Sequence, residues 1–123
     1  MENRKVYVGG DYINQWGNFK RNKGDIIEKF KHEGKEYVLV KNFEGHYNKA
    51  LMYQEENNSN HYILVSYNTI VAEYVEGKII EYGYYSETTK RHLNSFLEWF
   101  GLEGMNKKEI IENENKFIEW VVA

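Results

Sequence analysis

The sequence predicts an α+β fold: a mainly antiparallel β-sheet with one principal helix over about residues 88–100 packed on it and a short helix near 107–112. Two observations carry that prediction. Between Ile26 and Tyr85, short runs rich in Val, Ile, Tyr and Phe follow one another, separated by Gly- and Asn-containing turn signals, the pattern of consecutive hairpin strands. From Thr88 onward the apolar spacing changes from two to about 3.6 residues, and Leu93, Phe96, Leu97 and Phe100 form one stripe ended by Gly101. At 123 residues the chain suits a single domain with a real core.

Taken in order, Lys5 to Val8 is a short strand stopped by Gly9 and Gly10. Asp11 to Gly24 carries Tyr12, Ile13, Trp16 and Phe19 at near-helical spacing interrupted by Gly17, and reads as a short helix or an ordered loop. Ile26 to Lys31 and Glu36 to Lys41 form a hairpin across His-Glu-Gly-Lys. Ala50 to Gln54 follows the polar segment Asn42 to Lys49, and Tyr62 to Tyr67 and Thr69 to Glu76 flank Asn68, a bulge or a turn. Glu76-Gly77 turns the chain into Lys78 to Tyr85, on which Tyr82 and Tyr84 share one face and Tyr85 takes the other. Asn106 and Glu109 have capping-box spacing for the short helix, and Phe117 to Val122 is a final strand that rejoins the sheet.

Composition narrows the chemistry. The chain has no cysteine, which removes disulfides, thiolate nucleophiles and the common structural zinc sites. No apolar run approaches the roughly 20 residues that span a bilayer, so a cytoplasmic protein with no membrane contact is expected. Residues 1–49 carry ten Lys and Arg against seven acids, and residues 50–123 carry six against twelve, giving a net charge of −3. That balance argues against non-specific binding to duplex DNA and suits a basic protein partner for the acidic part.

His32, His46, His61 and His92 lack the short spacings that set two metal ligands on one face, and no metal or other cofactor is expected. Glu73 and Glu81 offer two readings, an acid–base pair for hydrolysis or strand residues simply solvated on one face. The most informative stretch is the helix start. Ser86, Thr88 and Thr89 supply hydroxyls where the helix begins, while Lys90, Arg91 and His92 put cations at its positive pole, an arrangement that a bound anion would relieve. Glu87 offers a plain structural alternative by complementing the same pole. Trp99 lies one position off the apolar stripe, where it borders the core or forms an exposed anchor, and the eleven tyrosines suit a half-buried sheet, base stacking or an interface.

The ordered set Ser66-Tyr67-Asn68-Thr69, Val71-Ala72, Tyr85-Ser86, Thr88-Thr89-Lys90-Arg91-His92 and Phe96 resembles a signature of small bacteriophage and prophage proteins with no established activity. The resemblance covers roughly the central third of the chain and implies a mobile-element origin and nothing catalytic. By analogy of class, small acidic phage proteins include counter-defence inhibitors of the anti-CRISPR kind, so the leading expectation is a non-enzymatic protein that occludes a host protein such as a defence nuclease. The candidate binding residues are Ser66, Tyr67, Asn68, Ser86, Thr88, Thr89, Lys90, Arg91, His92 and Trp99. Two alternatives stand beside it: a nucleic-acid or nucleotide-phosphate binder using residues 88–92, and a small metal-independent nuclease drawing on His92, Arg91, Tyr67 and Lys90.

Overall fold

The computed structural model describes residues 6–8 and 26–119. A short strand β1 (Val6–Val8) runs parallel to the edge of β2 (Ile26–His32). From there β3 (Lys35–Asn42), β4 (Ala50–Glu55), β5 (His61–Ser66), β6 (Thr69–Val75), β7 (Lys78–Glu81) and β8 (Phe117–Glu119) continue the sheet in chain order, and β2 to β8 are antiparallel throughout. Two helices, α1 (Glu87–Trp99) and α2 (Lys107–Asn113), fill the connection from β7 to β8. The fold is therefore α+β. The element expected within Asp11 to Gly24 and the continuation of the last strand beyond Glu119 lie outside the described residues.

Turn chemistry explains the meander. Glu33-Gly34 and Glu76-Gly77 both take positive φ at the two central positions, 53° and 76° in the first and 48° and 85° in the second. That geometry matches the right-handed twist of the strands it joins, and glycine supplies its second residue without steric cost. The β5–β6 link is a turn rather than a bulge: Ser66 pairs with Thr69, and Tyr67 at the tip has φ 56°. A bulge does occur just after it, where Leu64 pairs with Ala72 but Val65 pairs with Ile70, leaving Val71 extra. The insertion puts the adjacent residues Val71 and Ala72 into the same core, which strict alternation would forbid.

The final β7 expectation is corrected. The strand ends at Glu81 rather than Tyr85, because the Gly83 amide donates to Glu81 Oε1 at 2.8 Å and Gly83 adopts φ 122°, which turns the chain out of the ladder. Tyr82 and Tyr84 consequently do not share a strand face. The Tyr82 hydroxyl donates to Glu73, whereas Tyr84 packs against the helix-side core.

One face of the sheet, carrying Ala50, Met52, Leu64, Ala72 and Ile79, packs against Leu93, Phe96 and Leu97 of α1 and Ile110 of α2. The opposite face holds a second cluster built from Phe30, Tyr37, Leu51, Tyr53, Ile63 and Val65, in which the Tyr53 hydroxyl donates to the Ile27 carbonyl. α1 starts at Ser86, whose side chain accepts from the Thr89 amide. It stops at Gly101, where Gly101 N bonds Glu98 O and Leu102 N bonds Leu97 O, the paired bonds of a left-handed glycine cap. The capping box at Asn106 and Glu109 is formed in both directions.

Candidate functional site

The hydroxyl-rich helix start meets the β5–β6 turn, and the two halves of the central pattern bond to each other. Ser66 Oγ lies 2.9 Å from Thr89 Oγ1 and 2.8 Å from His92 Nδ1, all three side chains being buried. Spacing on α1 brings Thr89 and His92 to the same side, and the end of β5 presents Ser66 to them. His92 is 1% exposed and its Nε2 has no hydrogen-bond partner. Burial, together with the nearby His46, Arg91 and Lys49, lowers the His92 pKa to about 4. The ring is therefore neutral at physiological pH, the only form in which an unpaired buried nitrogen is tolerable.

The cations of the first turn find partners within the helix. Glu87 accepts from Lys90 Nζ at 3.1 Å and from the Tyr84 hydroxyl at 2.6 Å, and Arg91 donates to Thr88 Oγ1 at 3.2 Å. Ser86 is spent on the Thr89 amide. The ten candidate residues thus divide. Ser66, Thr89 and His92 close an interior network; Ser86, Thr88 and Lys90 serve the helix start; Tyr67 and Asn68 form the turn; Arg91 and Trp99 face solvent. Trp99 lies two turns along α1 from this corner, 53% exposed, with its ring edge-on to Phe43 at 6.5 Å.

A loop whose sequence is polar and glycine-containing builds the rest of the surface. In the Asn42–Ala50 connection, Tyr47 and Asn48 both have positive φ and the backbone curls against α1. His46 Nε2 reaches Ser95 Oγ at 3.1 Å, and its ring meets that of His92 at 4.6 Å and 72°. Burial and Arg91 lower the His46 pKa. Tyr47 stands 77% exposed, and Lys49 Nζ sits 5.6 Å from its ring and 5.9 Å from the ring of Tyr67. At the other end of the helix Lys41 Nζ lies 5.6 Å from the Trp99 ring. The signal in the sequence is an aromatic residue in a loop flanked by His46 and Lys49; its meaning depends on distant contacts, as the His46–Ser95 separation of 49 shows.

The face so formed carries Tyr47, Tyr67 and Trp99 with Lys41, Lys49 and Arg91. A protein-family model matches residues 31–113, which contain this face and the whole central pattern. The chain belongs to DUF8033, a family of unknown function. No curated protein and no solved structure matches it. The family description names no source and does not link the chain to phage.

A second polar cluster of the DUF8033 chain lies on the opposite sheet face. Antiparallel register sets Glu55, His61 and Glu73 side by side: His61 Nε2 is 2.9 Å from Glu73 Oε2 and Nδ1 is 3.3 Å from Glu55 Oε1, while the Tyr82 hydroxyl donates to Glu73 Oε1 at 2.9 Å. The hydrogen bond to Glu73 is the largest influence raising the His61 pKa, against an opposing burial effect. Burial pushes Glu73 upward, and the hydrogen bonds from His61 and Tyr82 outweigh it, leaving its pKa lowered. Glu55, bonded by Asn58, Lys35 and His61, falls to about 2. Neither Glu73 nor Glu81 is a simply solvated strand residue: Glu81 is 0% exposed, its Oε2 has no partner, and burial raises its pKa. Among the described residues no group of three His, Asp or Glu side chains is arranged to hold a metal ion, and no helix is long and apolar enough to cross a membrane.

The His61 cluster gives a signed pH effect. A folded pKa raised above 6.5 means that the pairing stabilises fully below 6.5 and is lost as pH rises through the folded value. The thermal midpoint of the wild type is expected to fall more steeply above pH 6.5 than that of His61→Gln; parallel profiles would show that the cluster contributes nothing.

Proposed function

We propose that this protein is a non-enzymatic binding module whose contact surface is the face formed by the 43–49 loop, the Tyr67 turn and the outer row of α1. One observation carries the reading: three aromatic side chains that a packed domain normally buries, Tyr47, Tyr67 and Trp99, are 77%, 41% and 53% exposed on a face that also bears Lys41, Lys49 and Arg91. Tyr, Trp and Arg are the residues that dominate binding energy at macromolecular contacts. The interior network of Ser66, Thr89 and His92 stabilises the corner on which this face is built and takes no direct part in the contact.

The burial of His92 favours this reading over a metal-independent nuclease, since a general base must come within about 3 Å of the proton it removes. A phage-encoded counter-defence inhibitor acting in the bacterial cytoplasm, with a host nuclease as partner, is a separate reading that the geometry of this face does not carry. Its support is the resemblance of the central pattern and the small acidic make-up of the chain, with no contact in the fold that singles out a nuclease.

The test compares immobilised wild type with the Tyr47→Ala/Tyr67→Ala/Trp99→Ala variant in bacterial lysate. Protein or nucleic acid retained by the wild type and lost by a variant of unchanged thermal midpoint supports the reading; equal retention, or none by the wild type, overturns it.

A further inference from the structure

We infer that the ligand of this face is a single-stranded nucleic acid, held by ring stacking on Tyr47, Tyr67 and Trp99 and by phosphate pairing with Lys41, Lys49 and Arg91; the inference rests on the binding reading above. Charge complementarity makes the first selection. Lys41, Lys49 and Arg91 take part in no salt bridge among the described residues, although Glu44 and Glu98 neighbour the face in sequence. Four further acids of the second half, Glu103, Glu109, Glu112 and Glu114, belong to α2 and its flanks rather than to this face. Screening over about 10 Å at 0.1 M salt lets a local cationic face act independently of a net charge of −3. The occupant is therefore anionic.

The rings make the second selection. Each lysine of the face lies over an aromatic ring, Lys49 between Tyr47 and Tyr67 and Lys41 at Trp99, so positive charge covers part of each ring while the three aromatic residues stay 41–77% exposed. An acidic peptide would answer the charges but make little use of the exposed ring surface, and protein interfaces are depleted in lysine at their cores. Alternating bases and phosphates answer both. Arg91, Ser95 and Trp99 follow one another at i, i+4 and i+8 along α1, so the helical rise separates the two ends by about 12 Å, room for a short strand of several nucleotides. Tyr47 also borders a hollow of about 380 Å³ lined by Asn42, Phe43, Glu44, Gly45 and Asn48, space beside the ring for an unstacked base. A duplex keeps its base faces covered, so the face selects single strands.

The experiment is fluorescence anisotropy of labelled 12-nucleotide dT and rU oligomers and of a duplex of equal length, with the full chain. Expected are salt-sensitive binding with log K falling against log salt at a slope of about −2, from three cations on a single strand; weaker duplex binding; and a roughly 5- to 100-fold loss in each of Tyr67→Ala and Trp99→Ala, the effect of one stacked base. Absence of oligomer binding, duplex binding as tight as single-strand binding, or unchanged affinity in both aromatic variants would overturn it. If oligomers fail to bind while the triple aromatic variant still loses a captured protein, this inference falls and the binding reading stands. If neither responds, both fall.

Discussion

Acidifying the wild type from pH 6.5 to 4 is expected to remove on the order of 2–3 kcal/mol of stability through His92 alone. The folded pKa, about 4, lies below that of an unconstrained imidazole, so the unfolded chain binds the proton first and every step down in pH within that window favours unfolding. His61 has the opposite sign, with a raised folded pKa, and His46 shares the sign of His92, so the His92 contribution is isolated as the difference between wild type and His92→Gln across the same range. The variant loses the pH slope. At neutral pH it is also less stable by about 1–3 kcal/mol, because Ser66 Oγ loses the partner that Nδ1 supplies at 2.8 Å and the buried site is refilled by a differently shaped polar group. Urea denaturation at pH 4, 5, 6 and 7 reads both effects. Wild-type and variant curves that stay parallel would mean that His92 is charged in the fold or reaches water.

Reversing two charges, Lys49→Glu with Arg91→Glu, is expected to weaken oligonucleotide binding on the order of a hundredfold at low salt, since two phosphate contacts are replaced by two repulsions. Arg91 is exposed and Lys49 half-buried, neither in a salt bridge among the described residues, so the fold should tolerate the change. The same substitutions have a second readout. Lys49 and Arg91 both lower the His92 pKa and Arg91 lowers that of His46, so reversal moves both imidazoles upward, measurable by following their ring resonances against pH. A variant whose imidazoles shift while its affinity holds would put the cations beside the histidines but away from the ligand.

What the sequence disclosed followed from local chemistry. Glu33-Gly34 and Glu76-Gly77 announce their turns, the Leu93–Phe100 stripe and Gly101 bound α1 to within a residue, and Asn106 with Glu109 marks the start of α2, because each signal acts over four residues or fewer. The misreadings arose where a specific bond or a ladder irregularity overrides the strand periodicity. Tyr82 to Tyr85 looks like strand until the Glu81 carboxylate captures the Gly83 amide. Val71 enters the same core as Ala72 through a bulge that period-two reading does not contain. For the candidate site, the helix-start cluster was legible as a set, and Ser66, Thr89 and His92 do converge, but their bonding to one another was not, because it is fixed by how β5 docks on α1. The outer face was invisible in large part: nothing near His46 in the chain says that Ser95 will hold it.

Inner network and outer face make separable contributions, and one paired measurement tests that division. Chemical denaturation and oligonucleotide anisotropy are run on Ser66→Ala/Thr89→Val and on Tyr47→Ala/Tyr67→Ala/Trp99→Ala. The first variant should unfold at lower denaturant while its folded molecules bind as the wild type does, and the second should keep the wild-type midpoint and lose its affinity. The reverse pattern, with binding abolished by the buried pair and untouched by the exposed rings, would contradict it.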